Sequence, residues 1–244
     1  MPTQEPTRDH ATERYFDEHV PEYSPERLAF AARTIGEVAG PRPSLVDLGS
    51  GAGNTLAFLQ QQVELGDCLA VDVSPRLLER AAELAGCPTL KGSLMDPALP
   101  QQIGRKFDVA VIAAVLHHLI GSTRADSRRL AGQAVELALD VLEPGGHLVI
   151  LEPIYYPRVV MDGLFYVKKA FSSVTTERVS IGGYWNNLGA PVVSYYTNEE
   201  LVELATAGGR AEVVARDIDP EPLGRLNALL SKTNTTIVVR KTAG

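Results

Sequence analysis

A glycine-rich loop at residues 46–53 is the segment best suited to hold a ligand. It reads Val-Asp-Leu-Gly-Ser-Gly-Ala-Gly and continues a short apolar run that begins at Ser44. Glycines let the backbone approach a ligand closely, and open α/β sheets bind ligands at the carboxyl ends of their strands. Asn54 stands where a dinucleotide fingerprint needs its third glycine, and no Walker Gly-Lys-Ser/Thr follows. The candidate binding residues of the loop are Asp47, Gly49, Ser50, Gly51 and Gly53.

Two carboxylates restrict the chemistry of that ligand. Asp47 lies beside the loop, where its negative charge disfavours a pyrophosphate and favours a cation. Asp72, followed by Val73, ends a second apolar run, and a carboxylate there can accept both ribose hydroxyls of an adenosine group. Either aspartate alone could cap a turn. Together they predict an adenosine ligand with a cationic tail and no phosphate, which describes S-adenosylmethionine.

The sequence resembles the class I S-adenosylmethionine-dependent methyltransferases. The matching stretches, in the family's order, are VDLGSGAGN (46–54), LAVDVS (69–74), FDVAVIAAVLHHL (107–119), LEPGGHLVILEP (142–153) and YYTNEELVELATAGG (195–209). The resemblance implies an α/β, Rossmann-like fold with helices on both faces of a seven-stranded, mostly parallel sheet in the order 3-2-1-4-5-7-6. It also implies S-adenosylmethionine as the cofactor, with Ala113 among its contacts.

One position departs from the family pattern. Relatives usually carry Gly-Asp after the third strand, and that carboxylate binds the adenine amino group. Here the chain reads Gly92-Ser93-Leu94, with Asp96 shortly beyond. The Ser93 hydroxyl, the Asp96 carboxylate or backbone groups at Leu94 could replace it, and the register favours Ser93 with the Leu94 amide.

His117 and His118 are the candidate catalytic residues. They follow the strand whose end should lie beside the methyl group, and their unperturbed pKa lies near neutrality. In the similar cyclopropane-synthase-like branch a Glu-His pair occupies these positions, and by that register His117 faces the substrate. The alternative is that His118, His117 or both only satisfy backbone groups near a helix start. The chain also lacks the Asn/Asp-Pro-Pro-Tyr/Phe loop of relatives that methylate planar amides.

The acceptor site is expected under a lid insertion at residues 154–194, which is rich in aromatic residues. These either pack a small core of their own or form the wall of a pocket for a flat or apolar acceptor. Glu152, at the end of the fifth strand, is a further candidate for substrate contact, although Glu-Pro there could simply end the strand. The candidate substrate-binding residues are Glu152, Tyr155, Tyr184, Trp185 and Tyr195.

The elements that must position these residues alternate between strand and helix from residue 44 onward. Short links between them predict a parallel sheet covered by helices. The last third breaks this rhythm and ends in a strand pair, after a helix that begins with the capping box Thr197-Asn198-Glu199-Glu200. We expect an N-terminal helical cap at 1–43 and a cofactor-binding methyltransferase domain at 44–244.

The composition of the chain argues against several classes of binding partner. The 244 residues carry a net charge of −7, which argues against a general nucleic-acid binder, and no apolar run is long enough to span a membrane. No secretory signal is visible, and Cys68 and Cys87 form no disulfide framework, so a reduced, cytoplasmic protein without metal ligands is expected. A homodimer is left open.

The favoured function is methyl transfer to a small-molecule acceptor in specialised metabolism, at oxygen rather than at carbon or nitrogen. One alternative is a catalytically silent regulator that binds S-adenosylmethionine in a sealed pocket. Another is a nicotinamide-dependent oxidoreductase, against which Asn54 and the charge of Asp47 argue.

Overall fold

A seven-stranded sheet organises the chain. The computed structural model describes residues 25–172, 180–181, 185–186, 192–221 and 231–242. The strands of the sheet are β1 (Leu45–Leu48), β2 (Cys68–Asp72), β3 (Thr89–Lys91), β4 (Phe107–Ala113), β5 (Leu142–Tyr156), β8 (Ala211–Glu221) and β9 (Ser231–Lys241). Their spatial order is β3-β2-β1-β4-β5-β9-β8, and β9 runs in the direction opposite to that of the other six strands. The predicted fold class and the strand order 3-2-1-4-5-7-6 are therefore confirmed.

Helices follow most of the strands and cover both faces. They are α1 (Pro25–Val38), α2 (Asn54–Gln62), α3 (Pro75–Ala85), α4 (Leu99–Ile103), α5 (Arg124–Asp140), α6 (Arg158–Ser172) and α7 (Asn198–Thr206). A separate two-stranded sheet pairs β6 (Ser180–Ile181) with β7 (Trp185–Asn186). Among the described residues, no helix combines the length and the apolar character that crossing a bilayer requires.

Helix starts in this chain are set by their capping residues. The Ser74 hydroxyl accepts from the Leu77 amide at the start of α3, and Thr197 with Glu200 forms the expected capping box of α7. Helix α5 begins at Arg124, because Thr123 and Asp126 form a second capping box, in which an aspartate takes the place of the usual glutamate.

The sheet separates two apolar cores. Neighbouring residues of β4 point to opposite faces, so Val111 joins the core under α1, α2 and α3, whereas Ile112 joins the core under α5 and α7. Leu28 and Ile35 of α1 lie in the first of these cores, so α1 packs as part of the layer on that face. The boundary near residue 43 stays a prediction.

The expectation of two reduced cysteines is wrong. Cys68 and Cys87 form a disulfide with their Cα atoms 5.6 Å apart. The reason is the register of the parallel pair β2–β3, in which Ala70 lies opposite Thr89. The same offset, two residues earlier, brings Cys87 opposite Cys68. The bridge lies at the amino end of β2, at the edge opposite the glycine loop.

Candidate active site

The glycine loop turns from β1 into α2 at the carboxyl edge of the sheet. Gly49 takes φ of +82°, and a Cβ there would lie 2.5 Å from a Val115 methyl, so the turn admits no side chain. Gly51 takes φ of +53°, and a Cβ there would meet no atom within 4 Å. The backbone at Gly51 therefore borders open space in which a ligand can lie against the loop.

Asp47, at the end of β1, is a buried carboxylate without a protein partner. Asp47 is only 1% exposed. Neither of its carboxylate oxygens has a hydrogen bond within the part of the chain that the structure describes. Burial, with the neighbouring Asp72 carboxylate second, raises the pKa of Asp47 to about 7. An orphaned carboxylate of this kind is stabilised by a cationic group, so Asp47 fits the ammonium end of S-adenosylmethionine.

Asp72 holds the loop in place from the end of β2. One carboxylate oxygen accepts from the Gly51 amide and the other from the Ser74 amide, each at 2.9 Å. A carboxylate oxygen has two acceptor positions, so each can still accept a ribose hydroxyl. The expected turn-capping role and the expected ribose role are thus compatible in one residue. The Ser50 hydroxyl nearby is buried without a partner in the described structure.

The two polar side chains after β3, those of Ser93 and Asp96, differ in the hydrogen bonds that they already accept from protein. The Asp96 carboxylate already accepts from the Ala98 amide and, at 2.8 Å, from the Gln102 side chain. Among the described residues, the Ser93 hydroxyl accepts only from the Met95 amide, at 3.1 Å, and Leu94 is buried beside it. This distribution favours Ser93 over Asp96 as the replacement for the usual adenine contact. Val73 is half-buried after Asp72, and Ala113 ends β4.

His117 and Glu152 form a buried dyad at the carboxyl ends of β4 and β5. His117 Nδ1 lies 2.6 Å from Glu152 Oε2. The other glutamate oxygen accepts from the Val115 and Leu116 amides at 2.9 and 2.7 Å. Because an ionised carboxylate can only accept, Nδ1 is the donor in this contact, and in the corresponding neutral tautomer Nε2 is the acceptor nitrogen.

The contact of Glu152 with a substrate stays a prediction, and in this structure its carboxylate is directed at protein groups. Glu152 is 0% exposed, and both of its oxygens are occupied by His117 and by backbone amides. The cause is that β5 runs alongside β4, which aims Glu152 back at the turn after β4. In this position the Glu152 carboxylate fixes the orientation of the His117 ring through Nδ1.

The two neighbouring histidines differ in their electrostatics. Burial, with the neighbouring His117 second, lowers the pKa of His118 well below the usual value. A buried imidazole with a lowered pKa is a weak base. The two histidines therefore differ in their surroundings. His117 is oriented by a carboxylate, whereas His118, whose ring centroid lies 3.9 Å from that of His117, is kept neutral by its lowered pKa.

Tyrosine rings border the dyad. The Tyr195 ring is stacked on His117 at 5.6 Å between centroids, and Tyr155 contacts Tyr195 at 4.3 Å. The structure thus brings these two predicted substrate-binding residues together beside His117. Tyr184 lies outside the described residues. Trp185 is described only as part of β7.

Sequence reasoning missed the residues that hold this aromatic wall in place. The Ser194 amide donates to the His117 carbonyl at 2.8 Å, and the Tyr196 hydroxyl donates to the Leu116 carbonyl at 3.1 Å. Arg124 donates to the Ser194 hydroxyl. No local signal marks these residues, because their partners lie tens of residues away in the sequence.

Comparison with known proteins agrees with this geometry. Residues 46–148 match the family model described as a methyltransferase domain. No curated protein matches the chain by sequence. Three structures illustrate the similarity in fold. The N-methyltransferase NodS from Bradyrhizobium japonicum, solved with S-adenosyl-L-homocysteine, is 15% identical with a TM-score of 0.59, covering 96% of this chain and 100% of its own.

The other two neighbours have comparable scores. A SAM-dependent methyltransferase from Methanosarcina mazei is 15% identical with a TM-score of 0.59, covering 86% of this chain and 98% of its own. YcgJ from Bacillus subtilis is 14% identical with a TM-score of 0.58, covering 90% and 99%. Residues 46–148 thus carry a methyltransferase domain within a class I methyltransferase fold. The match over residues 46–148 and the shared fold agree with the expected class of enzyme and with S-adenosylmethionine as its cofactor.

Proposed function

We propose that this methyltransferase transfers the methyl group to a hydroxyl of a flat small-molecule acceptor, with His117 as the general base. The observation that carries this proposal is the 2.6 Å contact between His117 Nδ1 and the buried Glu152. An amine needs no base once it is neutral, whereas a hydroxyl usually does. A carboxylate that fixes the imidazole tautomer has a clear use only in the second case.

The chain's own groups then divide the work. S-adenosylmethionine, when bound, supplies a methyl group on a positively charged sulfur that is already activated for attack. His117 Nε2 takes the hydroxyl proton as the acceptor oxygen attacks, and Glu152 stabilises the resulting imidazolium. The Tyr155 and Tyr195 rings hold a planar acceptor beside His117. Ordering these groups supplies much of the rate enhancement, because alignment converts a bimolecular step into an intramolecular one.

The cofactor-binding roles extend the same proposal. Asp47 pairs with the cationic end of the ligand, and Asp72 accepts from the ribose hydroxyls. Gly49, Ser50, Gly51 and Gly53 line the loop, while Ser93 and Leu94 receive the adenine. Val73 and Ala113 complete the contact surface. The unsatisfied oxygens of Asp47 and of Ser50 support this assignment.

Several expectations stay predictions: the lid at 154–194, the absence of nucleic-acid and membrane partners, cytoplasmic localisation and a homodimer. So does a role in specialised metabolism. Helix α6 supports the idea of a lid because it leaves the sheet directly after Tyr155 and Tyr156. Its first residue, Arg158, contacts Glu200 of α7 at 3.0 Å.

A substrate panel tests the proposal. The full-length enzyme is incubated with methyl-labelled cofactor and three sets of compounds: hydroxylated aromatics, the corresponding anilines and aliphatic alcohols. We expect label to transfer to the hydroxylated aromatics, with His117→Ala abolishing most of that transfer. Faster labelling of the anilines, unaffected by His117→Ala, would refute O-methylation and favour N-methylation.

A further inference from the structure

Arg124, the first residue of α5, is a largely buried cation at the back of the aromatic wall. Its side chain is 14% exposed. The guanidinium donates from Nε to Asp162 of α6 at 2.9 Å and from Nη1 to the Ser194 hydroxyl at 2.5 Å. One planar side chain thus links the proposed lid helix to the segment that precedes Tyr195.

The segment from Ser194 to Tyr196 is in turn fixed to the turn that carries His117. Ser194 is fully buried, and its amide donates to the His117 carbonyl. Tyr196 donates to the Leu116 carbonyl and forms a β-bridge with Ile154. Because Tyr195 lies between these anchors, the position of its ring against His117 depends on them.

The charges around Arg124 argue against a simpler role for this residue and its neighbouring arginines, namely the binding of an anionic ligand. A cavity of about 160 Å³ is lined by Arg124, Arg128, Arg158 and Glu200, together with Ala125 and Tyr196. Each guanidinium there already contacts a carboxylate: Arg128 and Arg158 reach Glu200 at 3.2 and 3.0 Å. An anionic ligand would have to displace those carboxylates. The arginines therefore hold protein groups together.

We propose that Arg124 is a positioning residue that holds Tyr195 against His117 and couples that wall to helix α6, so that its loss weakens acceptor binding without weakening cofactor binding. The inference rests on the proposed acceptor site. A fork of N–H donors in a fixed plane is needed, because Asp162 and Ser194 lie in different directions. Lysine keeps the charge but cannot reach both partners in that geometry.

The test uses the full chain with three variants. Arg124→Lys keeps the positive charge. Ser194→Ala removes only the hydroxyl that Arg124 contacts and leaves the ion pair between Arg124 and Asp162 in place. Arg129→Ala is the matched control, because Arg129 lies on the same helix, is exposed and bonds only Gln133 among the contacts described. Hydrogen exchange is measured at the Ser194 and Tyr196 amides. KM and kcat are measured with the hydroxylated aromatic compound that is methylated fastest.

We expect faster exchange at Ser194 in Arg124→Lys and in Ser194→Ala, and a KM for the acceptor raised by roughly tenfold. The kcat at saturating acceptor and the cofactor Kd should stay near the wild-type values. Exchange and KM in both variants equal to those of Arg129→Ala would overturn the proposal. If no compound is methylated, O-methylation has failed instead, and the exchange rates alone decide whether Arg124 positions this segment.

Discussion

The carboxyl edge of the sheet has a proposed cofactor side, at the ends of β1 and β2, and a proposed acceptor side, at the ends of β4 and β5. The two sides differ in whether their buried polar groups are hydrogen-bonded to protein. Near the ends of β1 and β2, Asp47 and the Ser50 hydroxyl are buried and have no hydrogen-bond partner among the residues that the structure describes. Glu152, near the end of β5, and Ser194, in the segment before α7, are also buried, yet each is hydrogen-bonded to protein. A buried polar group without a partner costs free energy unless a ligand satisfies it. On the proposed assignment, the cofactor side can therefore bind a charged ligand, and the acceptor side presents a base and flat rings.

The largest effect expected on this contrast is that of His117→Ala. If the acceptor side provides a base, kcat should fall by roughly 10²–10⁴-fold, the usual contribution of general-base catalysis. Cofactor affinity should stay nearly unchanged, because His117 belongs to the other side. Steady-state kinetics and calorimetry measure both quantities. A kcat within about threefold of wild type over roughly pH 6–9 would contradict the assignment of the base, since that lies far below the general-base range.

Glu152→Gln should lower kcat by about 10²-fold or more. The Val115 and Leu116 amides require an acceptor at the position of Oε1, so the glutamine NH₂ would face His117 Nδ1. An NH₂ there forces the ring proton onto Nε2, and that tautomer cannot accept the hydroxyl proton. Thermal unfolding serves as the control for the loss of buried hydrogen bonds. Unchanged turnover in a folded variant would mean that the dyad is structural.

Asp72→Ala should weaken S-adenosylmethionine binding by about 2–3 kcal/mol, since it removes charge-assisted hydrogen bonds. The loss includes the disorder of the loop that Asp72 holds through the Gly51 amide. Asp67→Ala is the control, because Asp67 lies at the other end of the same strand and pairs on the surface with Arg105. Calorimetry that finds equal affinities for the two variants would contradict the ribose contact.

The smallest effect expected is a proton coupled to cofactor binding. Because the pKa of Asp47 is raised to about 7, the ligand-free protein binds more protons than the unfolded chain between about pH 4 and pH 7. Its stability should therefore decrease as the pH rises through that window. A bound cation favours ionised Asp47, so affinity should increase with pH below about 7, by up to tenfold per unit.

Calorimetry in two buffers of different ionisation enthalpy counts the protons released on binding. Asp47→Asn should bind the cofactor more weakly and should lose the pH dependence of both affinity and stability. A pH-independent affinity between about pH 5 and 7 in the wild type would contradict the contact between Asp47 and the cation.

Local sequence signals were sufficient to locate the glycine loop and the helix starts around it. The glycine loop, Asp47 and Asp72 lie within two strand–helix turns, and the residues that cap α3 and α7 are adjacent to the helices they start. Such features depend on the backbone conformations and hydrogen bonds of neighbouring residues, so a linear pattern predicts them. The order of the strands followed from the resemblance to a family, which fixed a topology that periodicity could not.

The acceptor side was decided by tertiary structure. Glu152 lies 35 residues from His117, and Ser194 lies 70 residues from Arg124. Whether Glu152 contacts a substrate or a histidine depends on the register between β4 and β5, and the bond between Cys68 and Cys87 depends on the register between β2 and β3. The sequence by itself determined which residues could bind an adenosine cation. Only the packing of strands side by side decided which carboxylate contacts His117, because register is a property of pairs of strands and no single segment contains it.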